Sequence, residues 1–234
     1  VIDATHKKSE LRSLSYSLKR IPSQTPLAHF SEPLLEALAE TAQHFLTSAG
    51  SALYSFTPSA VLKDIKSTKQ VQSKPLEAPG EFEELLLQAD EEAICDEYRR
   101  IIRESFALGK CIWIVTPTTK RAADLQKILE RGIEGKVITL SSDLTPKKQL
   151  ECWRQVHDSC ESFCVITTPG FAALELQNVR MIILDSEHSP LYKSTRRPFI
   201  DARVFVRNYA RARSLPLLRS SETPSLLTNR RLKE

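Results

Sequence analysis

The chain has 234 residues, of which 41% are hydrophobic and 26% are charged, a composition typical of a folded globular protein. No run of about 18 apolar residues is present and the first residues lack an export-signal pattern, so we expect a cytoplasmic protein with no membrane partner. The net charge of +4 is unevenly distributed, because residues 193–234 carry eleven Lys or Arg against three acids. Concentrated arginine favours a nucleic-acid-binding face, although a solvated helix surface has the same composition.

The start of the chain and its cysteines limit the biochemical setting. The chain begins at Val1 and its only methionine is Met181, so we expect a fragment or a processed product. The cysteines are odd in number and include no C-x-x-C pair, which argues against a closed set of disulfides. We therefore expect reduced, structural thiols and no metal site at Cys95, Cys111, Cys152, Cys160 and Cys164.

The first predicted element is an amphipathic helix over residues 33–47. Apolar side chains recur at near-helical spacing, Ser31 is a candidate N-cap, and Pro33 suits the first turn. Such a helix buries too little surface to fold alone, so we expect it either to pack on the rest of the chain or to be loosely ordered. The expected buried face consists of Leu35, Leu38 and Phe45.

The following residues divide into a linker and a larger unit. Residues 51–58 form a short segment that Pro58 ends, and residues 64–80, rich in Lys, Gln, Ser and Pro, predict a linker. The elements predicted beyond it are helices 97–110, 118–132, 145–157 and 200–213 and strands 111–115, 136–140, 163–167, 179–185 and 216–218. This alternation predicts an α/β fold with a parallel sheet between helices, in which ligands bind at the carboxyl ends of the strands. The corresponding loops are 116–119, 167–171 and 185–193.

The sharpest local motif is an acid box, Asp185-Ser186-Glu187-His188, which follows an apolar strand. An acid at the carboxyl end of a buried strand, followed by Glu and His, is the layout of a Walker B or DEAH-type box. In such a box the first acid orients magnesium and the second activates water. An ordinary strand end with a polar loop gives the same short string, so this alternative stays open.

The order of the motifs resembles the first helicase lobe of the primosomal protein N′ (PriA) family of replication-restart helicases. The segments that carry the resemblance are 32–58, Gly109-Lys110 with 112–117, 140–144 with Trp153, 165–168, the acid box with Tyr192-Lys193, Ala202-Arg203, and 217–225. The resemblance implies a RecA-like P-loop NTPase-type lobe over residues 81–234. It also implies that residues 1–63 are a remnant of the family's 3′-end DNA-binding domain, joined through the linker 64–80.

Departures from the family pattern fall on the nucleotide site. The family's phosphate loop aligns with residues 88–95, where glycines are missing and the positions that matter are Gln88, Ala93, Ile94 and Cys95. Ile94 stands in place of the lysine and Cys95 in place of the magnesium-binding hydroxyl. Residues 83–97 carry seven acids and no base, which would repel a triphosphate. Because Ser186 also replaces the water-activating glutamate, we expect no catalysis and no ATP or Mg²⁺ cofactor, although the resembled family uses both.

The expected partner is DNA, forked or single-stranded, together with other primosome or replication proteins. The candidate DNA-binding residues are Tyr192, Lys193, Arg196, Arg197, Arg203 and Arg207. Trp113 and Trp153 lie in an apolar strand and on a helix, which favours core packing over base stacking. The sequence thus predicts a DNA-binding protein of replication restart with an inactivated ATPase site. The alternatives are a scaffold that binds neither DNA nor ATP, and an active ATP-dependent helicase.

Overall fold

The structure is a computed structural model that describes residues 30–67, 80–158, 161–225 and Thr228. The helices in these ranges are α1 (Glu32–His44), α2 (Ala49–Phe56), α3 (Ser59–Ser67), α4 (Glu91–Ala107), α5 (Thr119–Leu129), α6 (Pro146–Asp158) and α7 (Ala202–Ala212). The strands are β1 (Glu84–Gln88), β2 (Cys111–Val115), β3 (Val137–Leu140), β4 (Cys164–Thr167), β5 (Val179–Leu184) and β6 (Leu217–Ser221). Among these helices, none combines the length and the apolar character that a membrane span requires.

The strands form one sheet in the order β1-β6-β5-β2-β4-β3, and all neighbouring strands are parallel. Both faces of the sheet are covered, because alternate side chains of β2 enter different hydrophobic clusters. Trp113 and Val115 join a cluster that includes residues of α1, α6 and α7, whereas Ile112 and Ile114 join residues of α4 and α5. A strand buried on both faces is apolar throughout, which explains why its sequence shows no alternation. The predicted α/β class and parallel sheet are therefore confirmed.

Strand β1 is absent from the sequence-based prediction. Leu85, Leu86 and Leu87 pair with the end of β6, and the strand lies half-buried at one edge of the sheet. Acidic residues on both sides of this short apolar run hid it. Helix α4 also begins six residues earlier than expected, at Glu91, because Asp90 supplies an N-cap whose carboxylate accepts from the Ala93 N–H at 2.9 Å.

Helix α1 packs against α7, but part of its predicted buried face is wrong. Leu38 is buried and Phe45 is half-buried against the core, whereas the side chain of Leu35 is 51% exposed. The face that meets α7 consists of Leu34, Ala37, Leu38, Thr41 and Ala42. The small residues in this set allow α1 to approach α7 closely, and the Asn208 side chain donates to the Thr41 hydroxyl at 3.2 Å.

The segment after α1 is helical, and α2 contains residues 51–56 of the short segment that Pro58 ends. Phe56, at the end of α2, stacks on Phe205 of α7 with ring centroids 4.4 Å apart. Helix α3 extends to Ser67 and covers the first residues of the predicted linker, while residues 68–79 lie outside the described residues. The described N-terminal helices therefore share one hydrophobic cluster with the sheet, which is the packed alternative of the two that we expected. The domain boundaries stay a prediction.

Candidate functional site

The carboxyl edge of the sheet brings together the segments that the sequence singled out. Asp185 directly follows β5, Ser220 and Ser221 end β6, and the first turn of α4 follows β1 after two residues. Since β6 lies between β1 and β5 and all three are parallel, these groups occupy neighbouring positions at one edge. The acid box and the segment aligned with the phosphate loop are therefore adjacent in space.

The Asp185 carboxylate is fully engaged by side chains of this chain. Arg121 donates from Nε to Oδ2 at 2.7 Å and from Nη2 to Oδ1 at 2.9 Å, a bidentate pair. The Tyr98 hydroxyl donates to Oδ1 at 3.0 Å and the Ser186 hydroxyl to Oδ2 at 3.0 Å. Asp185 is only 1% exposed, so these four donors satisfy a charge that has almost no contact with solvent.

The two main partners of Asp185 keep the protonation states that the network requires. Burial raises the pKa of the Tyr98 phenol well above its ordinary value and the Asp185 charge adds to this shift, so Tyr98 stays a neutral donor. Desolvation lowers the pKa of Arg121, but its bonds to Asp185 and Glu91 outweigh that effect, and the net shift is upward. Arg121 is held in place by the first turn of α5, where Thr118 is the N-cap. The carboxylate of Asp185 is therefore paired with a guanidinium of this chain.

The N-terminus of α4 is capped by carboxylates. Asp90 accepts from the Ala93 N–H at 2.9 Å, and the Glu222 side chain accepts from the Glu91 N–H at 3.1 Å. Gln88 donates to the Glu222 carbonyl at 3.4 Å, which fixes the segment after β6 over this helix end. Backbone N–H groups of a helix N-terminus are the donors that cradle phosphate in nucleotide-binding loops. Here two of them are already bonded to negative charges.

Ile94 and Cys95, the residues aligned with the lysine and the hydroxyl of the phosphate loop, are both buried, and the Cys95 thiol donates to the Glu91 carboxylate at 3.8 Å. Their side chains are 3% and 4% exposed and belong to the cluster between α4 and the sheet. Burial, with the Glu91 charge, raises the pKa of the Cys95 thiol. The helical phase of α4 thus directs both positions into the core, while Ala93 is exposed.

The second acid of the box has a structural role. Glu187 is 1% exposed, and its carboxylate accepts from the Ser225 N–H at 2.6 Å and from the Thr228 hydroxyl at 2.9 Å. His188 is exposed, and its Nδ1 lies 2.6 Å from the Ser221 hydroxyl. The box therefore ties the end of β5 to β6 and to the residues after β6.

Tyr192 is not available to stack on a base, which corrects our expectation. Its ring is 1% exposed, and its hydroxyl donates to the carbonyls of Val115 at 2.7 Å and Asp185 at 2.6 Å. The Arg203 guanidinium lies over this ring at 5.7 Å, pairs with Asp201 and donates to the Glu187 carbonyl at 2.6 Å. Arg203 therefore stabilises the fold around the acid box, and only 17% of its side chain is exposed to solvent.

Four other arginines in the described part of residues 193–234 also have internal partners. Arg207 and Arg219 both pair with Glu84 of β1, and Arg211 pairs with Glu40 of α1. Arg213 is 4% exposed and donates to the Leu176 carbonyl and the Tyr209 hydroxyl. The positive charge that the sequence concentrates here is largely used to hold α7 and β6 against their neighbours.

Three of the predicted DNA-binding residues remain exposed, in a segment that we call the basic loop (residues 189–200). Lys193, Arg196 and Arg197 are all exposed there. The loop has a defined shape, because the Ser194 N–H donates to the Ile200 carbonyl at 2.8 Å. It also exposes Phe199, whose side chain is 57% accessible. Sequence reasoning missed Phe199, although an aromatic residue beside two arginines was the available signal.

The described residues contain no group of three His, Cys, Asp or Glu side chains arranged to hold a metal ion. Within the same residues, Cys95, Cys111, Cys152 and Cys164 are free thiols. Cys160 lies outside the described residues.

Comparisons with known proteins point to one kind of relative. No family model matches the chain. Replication restart protein PriA from Synechocystis sp. is 28% identical over 130 residues, which are 55% of this chain and 16% of that protein. Replication restart protein PriA from Bacillus subtilis is 25% identical over 129 residues, with the same coverage of 55% and 16%. The match thus spans about a sixth of the length of these curated relatives.

A solved structure, the crystal structure of the Pyrococcus furiosus Hef helicase domain, gives a weaker likeness. Its TM-score is 0.43 at 16% identity, over 63% of this chain and 31% of that chain. The parallel six-stranded sheet of this chain fits the RecA-like lobe that the motifs predicted.

Proposed function

We propose that this chain, a PriA-like protein related to part of a helicase, binds DNA in replication restart without hydrolysing ATP. The bidentate pairing of Asp185 with Arg121 carries the proposal. A nucleotide-bound magnesium ion would have to displace a buried guanidinium from that carboxylate. The exchange would break both hydrogen bonds of the bidentate pair and leave the partly buried Arg121 without its main counterion, so it is unfavourable.

The N-terminus of α4 adds a second barrier to nucleotide binding. A triphosphate at this position would meet the carboxylates of Asp90, Glu91 and Glu222. No lysine would reach the phosphates from the family's phosphate-loop position, because that position is Ile94 and its side chain is buried in the core. Like charges repel and two of the helix N–H donors are already used, so we expect magnesium-ATP to bind no more tightly than about millimolar.

The basic loop is the part of the lobe that suits DNA. Lys193, Arg196 and Arg197 are exposed cations that can contact phosphates, and Phe199 offers an exposed ring to an unpaired base. Stacking on Phe199 requires a base that is not already stacked on both faces within a duplex. The proposed substrate is therefore single-stranded DNA or the single-stranded part of a fork, and the proposed protein partners are other primosome components.

One pair of measurements on the wild-type chain tests the proposal. Fluorescence anisotropy with a labelled single strand should show binding that weakens as salt rises. An ATPase assay with and without forked DNA should show no turnover above background, and calorimetry should show no magnesium-ATP binding below about millimolar concentrations. DNA-stimulated turnover would contradict the inactive site and restore the helicase alternative.

The internal use of arginines favours a second candidate, an interaction scaffold. Arg203, Arg207, Arg211, Arg213 and Arg219 all have partners inside the fold, so fewer cations are left for phosphates than the sequence suggests. A scaffold would bind protein partners and would show no salt-dependent DNA affinity in the anisotropy experiment.

A further inference from the structure

A cleft rich in arginine lies between one face of α4 and Arg131, two residues after the end of α5. Its volume is about 480 Å³, within the range of ligand sites. The cleft, which we call the arginine cleft, is lined by Asp96, Arg99, Arg100, Arg103, Glu104 and Arg131. Glu104 also contacts Arg180 at the start of β5, 3.5 Å away, which places the cleft towards the amino edge of the sheet. The basic loop is at the opposite edge.

Two of the four arginines are balanced by carboxylates on the same helix. Arg99 pairs with Asp96 at 2.5 Å, one turn earlier. Arg100 pairs with Glu97 at 2.5 Å and also with Glu104. These pairs follow from the i, i+3 and i, i+4 spacing of α4 and are those of an ordinary exposed helix.

The other two arginines lack such partners. Within the ranges that the structure describes, Arg103 and Arg131 have no carboxylate within ion-pair distance. Arg103 lies in α4 before its last turn, and Arg131 lies two residues beyond the end of α5. Four arginines against two carboxylates leave the lining with two unbalanced positive charges.

We propose that the arginine cleft binds a phosphate group, held mainly by Arg103 and Arg131. A phosphomonoester carries about −1.5 to −2 charges at neutral pH, which matches the unbalanced charge of the lining. Guanidinium groups hold phosphate oxygens in bidentate geometry, and one from α4 and one from the turn after α5 can contact one phosphate from two sides. The phosphate comes either from a small ligand or from a DNA backbone, and the experiment separates these sources.

The test uses the full chain and two probes, inorganic pyrophosphate by calorimetry and labelled single-stranded DNA by anisotropy. Arg103→Ala with Arg131→Ala should weaken binding of the probe that occupies the cleft, either pyrophosphate or DNA, by about tenfold or more. Lys147→Ala with Lys148→Ala is the matched control, because it also removes two exposed cations but from α6, on the other face of the sheet. Circular dichroism checks that each variant is folded.

A gain-of-affinity variant guards against loss of folding in the alanine variant. Asp96→Asn releases Arg99 from its pair and removes a negative charge from the cleft, so pyrophosphate affinity should rise by roughly two- to threefold. A variant that merely disturbs the helix would not bind its ligand more tightly. If Arg103→Ala with Arg131→Ala fails to fold, this variant decides the question.

Each outcome has a defined meaning. Pyrophosphate binding that is lost in the Arg103 and Arg131 variant, with DNA affinity unchanged, supports a small phosphate ligand. DNA affinity that falls in this variant and is competed by pyrophosphate supports the DNA backbone. Unchanged affinities for both probes, or weaker pyrophosphate binding by Asp96→Asn, would overturn the proposal. Arg196→Ala with Arg197→Ala should leave pyrophosphate binding intact, which separates the cleft from the proposed function of the basic loop.

Discussion

The acid box and the basic loop adjoin along the chain, yet their charges are in opposite situations. Asp185 and Glu187 are each 1% exposed and fully bonded to groups of this chain. Arg196 and Arg197, about ten residues later, are exposed to solvent. The box resembles a catalytic motif in sequence, and its two acids connect the end of β5 to α5 and to the residues after β6. The loop has no sharp motif but offers charge and an aromatic ring to a partner.

The largest expected effect comes from removing Arg121, the counterion of Asp185. Arg121→Ala leaves a buried carboxylate without its counterion and should lower the free energy of unfolding by about 3–5 kcal/mol, measured by urea denaturation. Arg211→Ala, which breaks the more exposed pair with Glu40, should cost less than about 1 kcal/mol. Adding Asp185→Asn to Arg121→Ala should recover part of the loss. Equal small losses for both single variants would show that the two ion pairs do not differ.

The second largest effect is expected from placing a lysine at position 94, which aligns with the lysine of the family's phosphate loop. Ile94→Lys buries an ammonium group in the cluster under α4 and should destabilise the fold by about 2–4 kcal/mol without creating ATPase activity. Ala93→Lys, at the neighbouring exposed position, should change stability by less than about 0.5 kcal/mol. ATP turnover by the Ile94→Lys variant would show that the carboxylates at the N-terminus of α4 do not block nucleotide binding.

A smaller effect sharpens the role proposed for the loop. Phe199→Ala removes the exposed ring and should weaken binding of a labelled single strand by about 1–3 kcal/mol, or roughly 5- to 150-fold in Kd. Leu191→Ala removes another exposed apolar side chain of the same loop that cannot stack, so its affinity should stay close to wild type. Equal losses from both changes would point to general apolar contact.

The smallest effect concerns the phosphate contacts. Arg196→Ala with Arg197→Ala should weaken DNA binding by about tenfold at 0.1 M salt and flatten the slope of log affinity against log salt by roughly 1.4–1.8, since each contact contributes about 0.7–0.9. Lys147→Ala with Lys148→Ala removes the same charge from α6. This helix packs on β3, an edge strand three positions from β5 in the sheet, so the slope should stay unchanged. An unchanged slope in the first variant would place the contacts elsewhere.

Local sequence determined the elements whose pattern is complete within a few residues. Continuous apolar runs identified β2, β4 and β5, because strands buried on both faces need apolar residues at every position. Gly109 ended α4 near the expected place, since it adopts φ 67° just after the helix. Strand β1 was missed because its three leucines stand between acids and pair only with β6, which lies far away along the chain.

Burial and partnership at the site were decided by the tertiary structure. No spacing rule indicates that Arg121 would meet Asp185, because their contact depends on α5 and β5 being brought to one edge of the sheet. Tyr192 is adjacent to a basic segment in sequence, but its hydroxyl reaches two strand ends and its ring is removed from solvent. Composition fixes how much charge a chain carries, whereas the fold determines which charges find internal partners and which remain available for a ligand.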